Sequence, residues 1–282
     1  MKTAQSLQIV ALSIFGLGLA ANVYSQPSLT DGLVAYYPLD GNANDASGNG
    51  HNAYAENTYA TVNQFGQPNS ALGFTGNSWV YVPYSADLFP ANYSVSLMFN
   101  SQANFANFCL LRSGNVTTDP YSGYEIAERD FDQYFGFSDF DGVYNANNVG
   151  SEYDSGTCVT PISNWQQNHW YNLTFTRSGP TAQLYLNGVL IASAANTPPY
   201  VPAQSSPIYI GSDTVDPATS DPTQTPWDFF TGSIDDVRFY NRALSPDEVT
   251  SLYQLEAVPE PSTILIAGCG LVSVAFSRRR QR

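Results

Sequence analysis

Apolar residues along the middle of the chain recur in short runs, most of them alternating with polar ones and separated by clusters of Gly, Asn, Asp, Ser and Pro. Tyr93, Val95, Leu97 and Phe99 alternate with Ser94, Ser96 and Met98, and Tyr171, Leu173 and Phe175 with Asn172, Thr174 and Thr176. A period of two puts one set on each face of a half-buried strand. Residues 33–39, 71–74, 79–82, 108–111, 208–210 and 234–240 read as further strands, and 124–127 with 134–137 as a strand pair whose rings belong to the core. Residues 183–186 and 189–192 flank Asn187-Gly188, the turn signal of a two-residue hairpin, because both central positions of a type I′ turn need positive φ. One helix stands out. Ser245 is its N-cap, Pro246 its first helical residue and Glu248 the partner that completes a capping box, with Val249, Leu252 and Tyr253 as the apolar stripe.

About a dozen short strands without βαβ alternation or internal repeats predict an all-β fold: a two-sheet antiparallel jelly-roll sandwich closed by one short C-terminal helix. The longest gaps, 115–161 and 212–229, read as loop-rich insertions, the places where function gathers on such a scaffold. Residues 26–256 form one domain, flanked by two segments that must be set aside. Lys2, a charge-free run over 7–20 and small residues at Ala20, Ala21 and Ser25 have the layout of a secretory signal peptide over 1–25, with cleavage after Ala20 or after Ser25. At the other end Pro259-Glu260-Pro261 precedes a charge-free run over 262–277 and the basic cluster Arg278, Arg279, Arg280 and Arg282, so that 257–282 reads as a transmembrane sorting helix with its basic end in the cytoplasm.

Two resemblances become specific on these residues. The C-terminal arrangement resembles the PEP-CTERM sorting signal of Gram-negative bacteria, which implies export to the cell envelope or beyond. It also implies transient anchoring in the inner membrane and an exosortase-type sorting peptidase as partner. In the body, Gly32-Leu33-Val34-Ala35-Tyr36-Tyr37-Pro38-Leu39-Asp40, Asn44-Asp45-Ala46-Ser47-Gly48-Asn49-Gly50, Trp170-Tyr171-Asn172-Leu173, Leu184-Tyr185-Leu186-Asn187-Gly188 and the stretch 232–245 resemble, in order, the concanavalin A-like lectin/glucanase, laminin-G-like family. That resemblance implies a structural calcium ion, Ca2+, held by the early loop and the first Asp of the Ile-Asp-Asp strand. Carried onto this chain, the ligands are Asp45, Asn52 and Asp235.

Charge narrows the partners further. Residues 26–258 hold five Arg, no Lys and 23 Asp or Glu, a net charge of −18. Nucleic acid is excluded for want of a basic patch to displace counterions from phosphate. Divalent cations and neutral polymers fit better. Of three cysteines, Cys269 lies in the apolar tail, which leaves Cys109 and Cys158 as an even pair in an oxidising compartment and predicts a disulfide worth about 4 kcal/mol on the chain-entropy model. Within 119–154, aromatic residues interleave with acids, and Tyr121, Tyr144 and Tyr153 are the rings placed to stack on a sugar. Adjacent acids at Asp235-Asp236, between core positions Ile234 and Val237, predict a β-bulge. Trp79 and Tyr81 alternate with Val80 and Val82, which puts them on the face opposite the two valines.

Catalysis has little to stand on. Glu125 and Glu128, three apart in a strand, point to opposite faces, and the two histidines, His51 and His169, lie in no nucleophile motif. The expectation is therefore a non-enzymatic carbohydrate-binding or adhesion module of the envelope or exopolysaccharide matrix. The alternatives are a structural or protein-binding surface domain, and a divergent glycoside hydrolase or polysaccharide lyase.

Overall fold

The computed structural model describes residues 28–102, 108–113, 123–129, 134–139, 158–161, 166–195, 201–213 and 228–257; for 128–129, 134–139 and 158–161 it describes the backbone alone. In chain order the strands are β1 (Leu33–Tyr37), β2 (Tyr54–Glu56), β3 (Tyr59–Thr61), β4 (Ala71–Phe74), β5 (Trp79–Val82), β6 (Tyr93–Ser101), β7 (Phe108–Ser113) and β8 (Tyr124–Arg129). They continue with β9 (Tyr134–Asp139), β10 (Cys158–Pro161), β11 (Trp170–Ser178), β12 (Thr181–Leu186), β13 (Val189–Ala194), β14 (Ile208–Ile210) and β15 (Gly232–Tyr240), and the chain closes on α1 (Pro246–Ala257).

These strands make two antiparallel sheets. The first runs β13-β12-β11-β6-β15-β4-β3, with β1 also paired to β15; the second runs β10-β9-β8-β7-β14-β5-β2. Alternation dictates the layering. Val95, Leu97 and Phe99 of β6 and Leu173 and Phe175 of β11 meet Val80, Val82, Ile208, Ile210, Leu111 and Ile126 from the second sheet, all at most 1 % exposed. Rings lock the layers together edge to face: Phe230 meets Phe74, Phe99 and Phe108 at 6.1, 6.5 and 5.3 Å, and Tyr93 stacks on Tyr124 at 5.2 Å. Each such buried ring contributes on the order of 1.5–3 kcal/mol.

The expected bulge is present. Ile234 pairs with Phe99 and Asp235 with Met98, but the next pair joins Arg238 to Ser96, so one extra residue is accommodated on β15. Asp236 takes φ 52°, the left-handed conformation that lets Ile234 and Val237 both reach the core although they are three apart. The Asn187-Gly188 turn has positive φ at both residues, 50° and 75°. The helix begins with a complete capping box, the Glu248 N–H donating to Ser245 Oγ at 3.3 Å and the Ser245 N–H to Glu248 Oε2 at 2.7 Å. Its stripe lies across the outer face of the first sheet, where Val249 and Leu252 pack with Tyr185, Tyr240 and Leu244.

Within 115–161 the expected strand pair is present as β8 and β9, and β10 adds a further strand at that edge of the second sheet. One expectation is corrected. The disulfide between Cys109 and Cys158 is not formed. Cys109 lies on β7 and Cys158 on β10, with β8 and β9 between. Three strand spacings are about 14 Å, twice the Cα separation of roughly 7 Å that a disulfide tolerates. Cys109 is buried, its Sγ 3.7 Å from the Ile126 carbonyl oxygen.

Candidate functional site

With the valines and isoleucines of the second sheet turned inward, the residues between them face out. Four positions in register on neighbouring strands make a row: Tyr54 on β2 opposite Tyr81 on β5, Tyr81 opposite Tyr209 on β14, and Tyr209 opposite Arg112 on β7. The Tyr54 and Tyr81 rings are 6.3 Å apart and tilted; Tyr81 and Tyr209 meet edge to face at 5.7 Å. Tyr54 is 61 % exposed, Tyr81 and Tyr209 are half-buried, and beside them Trp79 lies 6.2 Å from Phe229. Arg112 continues in register to Glu125 on β8 and is ion-paired to it at 3.1 Å, and its Nη1 also donates to Asp213. The rings offer a surface that can stack on the apolar face of a pyranose or furanose, while Arg112 and Glu125, 3 % and 5 % exposed, close the end of the row as a buried ion pair.

A second polar feature lies on the first sheet, where the β15 bulge meets the C-terminal end of α1. A cleft of about 470 Å³ is lined by Tyr36, Asp40, Gln64, Asp235, Asp236, Arg238 and Glu256, among others. Arg238 is its hub: it is ion-paired to Glu256, bonds Asp236 Oδ1 at 3.1 Å and lies 4.0 Å over the Tyr36 ring. Tyr36 donates to Asp236 at 2.6 Å, and Asn172 donates to Glu256 at 2.7 Å. Burial pushes the Glu256 carboxyl up while Arg238 pulls it back, and Arg238 itself is held charged. Asp235, 3 % exposed, is different. Burial, then Asp236, Asp40 and Glu256, push it up to about 9, opposed by the Asp236 N–H. It is a buried carboxyl with like charges around it.

The sequence-predicted residues fare unequally. Tyr121, Tyr144 and Tyr153 lie outside the described residues, as do Pro259, Glu260 and Pro261, the signal segment 1–25 and the apolar run 262–277. Asp45 and Asn52 are brought together, the Asp45 N–H donating to Asn52 Oδ1 at 3.0 Å. Yet the Asp45 carboxylate already accepts from the backbone N–H of Tyr36, Ser47 and His51 and from Ser47 Oγ, at 2.8–3.0 Å. Desolvation raises its pKa, and those four donors outweigh it and hold the group below its ordinary value. Asp45 therefore ties the turn to β1, while Asp235 belongs to the cleft with Asp40 and Asp236. Among the described residues no three His, Cys, Asp or Glu side chains are placed to hold a metal. His51 Nε2 meets Asp87 at 3.0 Å, and Ser85 donates to the same carboxylate at 2.5 Å. A nucleophilic triad needs the imidazole between hydroxyl and carboxylate; here the carboxylate is in the middle.

Comparison with known proteins agrees with this architecture. A family model described as the concanavalin A-like lectin/glucanases superfamily matches residues 54–250. The chain belongs to that superfamily. Concanavalin A-like sandwiches of known structure align over four fifths of it. Domain 4 of an extracellular arabinanase from Geobacillus stearothermophilus, solved with arabinotriose, is 20 % identical with a TM-score of 0.52, covering 79 % of this chain and 98 % of that one. The botulinum neurotoxin serotype D ligand-binding domain, solved with N-acetylneuraminic acid, is 17 % identical with a TM-score of 0.57, covering 80 % of this chain and 52 % of that one. The aligned part is thus about half of the toxin domain's length. No curated protein sequence matches the chain. A second family model, the PEP-CTERM protein-sorting motif, matches 257–280, which implies export to the envelope and exosortase processing. Among the described residues no helix is long and apolar enough to cross a membrane.

Sequence reasoning set Trp79 and Tyr81 opposite Val80 and Val82 without assigning that face to a ligand, and it missed Tyr54, Tyr209 and Arg112. A signal was there: Ile208-Tyr209-Ile210 repeats the Val80-Tyr81-Val82 pattern, apolar inward and Tyr outward.

Proposed function

We propose that this protein is an exported, non-enzymatic carbohydrate-binding module of a bacterial envelope or exopolysaccharide matrix, and that the outer face of the seven-stranded sheet is where it holds sugar. The observation that carries the reading is the in-register row Tyr54–Tyr81–Tyr209 ending at Arg112, Glu125 and Asp213. Two neighbours of the same fold were solved with sugars, arabinotriose and N-acetylneuraminic acid, which supports the choice of ligand class. Exosortase processing is the proposed route by which the module reaches its place of work. A structural calcium ion belongs to the same proposal. Asp235 is its buried carboxyl ligand: burial among Asp236, Asp40 and Glu256 favours the protonated form, so a cation binding there would displace that proton and draw its remaining oxygens from backbone and amide groups.

The test is binding by the full chain, solubilised in a detergent without a sugar headgroup, to a panel of immobilised polysaccharides. At least one polymer is expected to bind, and Tyr81→Ala to weaken it by about 10-fold or more, the loss typical of removing a central aromatic anchor. Binding that survives Tyr81→Ala and Tyr209→Ala unchanged would place the sugar elsewhere. Release of reducing ends from any polymer would turn the reading toward a hydrolase.

A further inference from the structure

We propose that the aromatic row takes single, solvated sugar chains whose successive rings turn relative to one another, and not the flat faces of crystalline polysaccharide. The inference rests on the carbohydrate-binding reading and adds the shape of the ligand to it.

The angles between the rings decide the shape. A sugar ring stacks on an aromatic ring when the two planes are parallel and in van der Waals contact. A crystalline polysaccharide face presents its sugar rings in one plane, so a surface that grips it must hold its own rings coplanar. On this face they are not. The planes of Tyr54 and Tyr81 are turned by 43°, and those of Tyr81 and Tyr209 by 75°. The difference between the two angles keeps Tyr54 and Tyr209 from being coplanar as well. Alongside, Trp79 and Phe229 are turned by 34°. Against a plane, a ring tilted this far touches along one edge, and a gap of about 1 Å already forfeits up to about half of the attraction.

The tilt is held by the row itself. Tyr54, Tyr81 and Tyr209 stand opposite one another on paired strands, with centroids 6.3 and 5.7 Å apart. Edge-to-face contact sets the positive rim of one ring against the negative face of the other, and flattening Tyr81 and Tyr209 into one plane would give that contact up. At 75° only one of these two can turn its face outward, and the other offers its edge and hydroxyl. The row therefore presents two ring faces, Tyr54 and one neighbour, turned relative to each other and flanked by a phenolic hydroxyl that can bond a sugar hydroxyl. Two units of one chain with a twist between them match that arrangement. Tyr54, 61 % exposed, stands on the edge strand β2, so the chain runs off the sheet on that side.

The experiment compares one chemistry in two packings. The full chain, in the same detergent, is mixed with cellulose, chitin and mannan, each as a crystalline powder and as a regenerated, amorphous gel, and the unbound protein is measured. At least one amorphous polymer is expected to bind about 10-fold or more tightly than its crystalline form at equal accessible surface. Tyr54→Ala, at an exposed position on an edge strand, is expected to weaken binding to that amorphous polymer by about 5-fold or more. Equal or tighter binding of a crystalline form, weakened by Tyr54→Ala, overturns the shape selectivity and leaves the carbohydrate reading standing. Binding in either form that Tyr54→Ala and Tyr81→Ala both leave intact moves the sugar off this face and overturns the selectivity together with the placement. Failure of every preparation overturns the carbohydrate reading itself.

Discussion

The sandwich has two outer faces, and they are built on opposite principles. On the eight-stranded sheet the outward Tyr185 and Tyr240 are covered by α1, and polar residues beside them satisfy one another: Ser96 bonds Thr174 at 2.9 Å, Asn172 bonds Ser96 at 3.2 Å, and Arg238 and Glu256 close the network under the helix. On the seven-stranded sheet the outward residues are large rings that touch side by side and leave Tyr54 mostly exposed. The first face is finished by the chain itself, since the helix that covers it ends at Ala257, the residue at which the sorting-motif match begins. The second face carries the aromatic row. A single helix thus sets the two faces apart: α1 covers the polar one, and the other carries the rings.

The sharpest way to break this contrast is to exchange stability for binding. Arg238→Ala leaves Glu256 and Asp236 without their cation under the helix, and removing one partner of a buried pair typically costs about 3–5 kcal/mol. Tyr81→Ala, on the aromatic face, removes a half-buried ring whose loss is expected to cost roughly 1 kcal/mol while reducing sugar affinity. Urea unfolding of both variants measures this directly. If Tyr81→Ala proved as destabilising as Arg238→Ala, the aromatic row would be a structural element and the division of labour would fall.

The sequence carried the covered face better than the aromatic one, for a physical reason. Helix caps, the Asn187-Gly188 turn and the Asp235-Asp236 bulge are local: each is set by residues adjacent in the chain, and each is found where its pattern put it. The Tyr54–Tyr81–Tyr209–Arg112 row joins four strands spread over residues 54–209, and only their pairing order makes it a row. The disulfide expectation failed on the same ground. Parity and compartment say that two thiols can pair, but strand order keeps Cys109 and Cys158 apart. The cleft needed the fold as well, because Asp40 meets Asp235 and Asp236 through the pairing of β1 with β15.

A smaller effect sharpens the contrast through calcium. Asp235 is raised by burial among acids, so a divalent cation in the cleft would relieve the covered face and leave the aromatic face untouched. At calcium ten times its dissociation constant the gain is about 1.4 kcal/mol, a rise in Tm of roughly 3–6 °C for a domain of this size. Asp235→Asn is expected to lose that rise and, without calcium, to be about as stable as the parent, since at neutral pH the amide replaces a carboxyl that burial already keeps protonated. A calcium response that persists in Asp235→Asn would move the ion away from the cleft.

The smallest expected effect concerns the start of the same helix. Hydrogen bonds from Arg242 come first in holding Glu248 down at about 2, against partial desolvation, with the Ser245 N–H and hydroxyl adding to them. Because the folded value lies below the unfolded one of about 4.5, the stabilisation is complete above that pH. It is lost progressively as pH falls through about 2. The Arg242 side chain is half-buried and still meets solvent, so screening trims the pair, and Glu248→Gln is expected to cost under about 1 kcal/mol at neutral pH. The diagnostic is the pH profile: between about 4.5 and 2 the parent loses stability more steeply than Glu248→Gln, and the two curves converge at the acid end. Parallel curves over that interval would mean that the capping box holds the helix through its geometry, with the carboxylate charge contributing nothing.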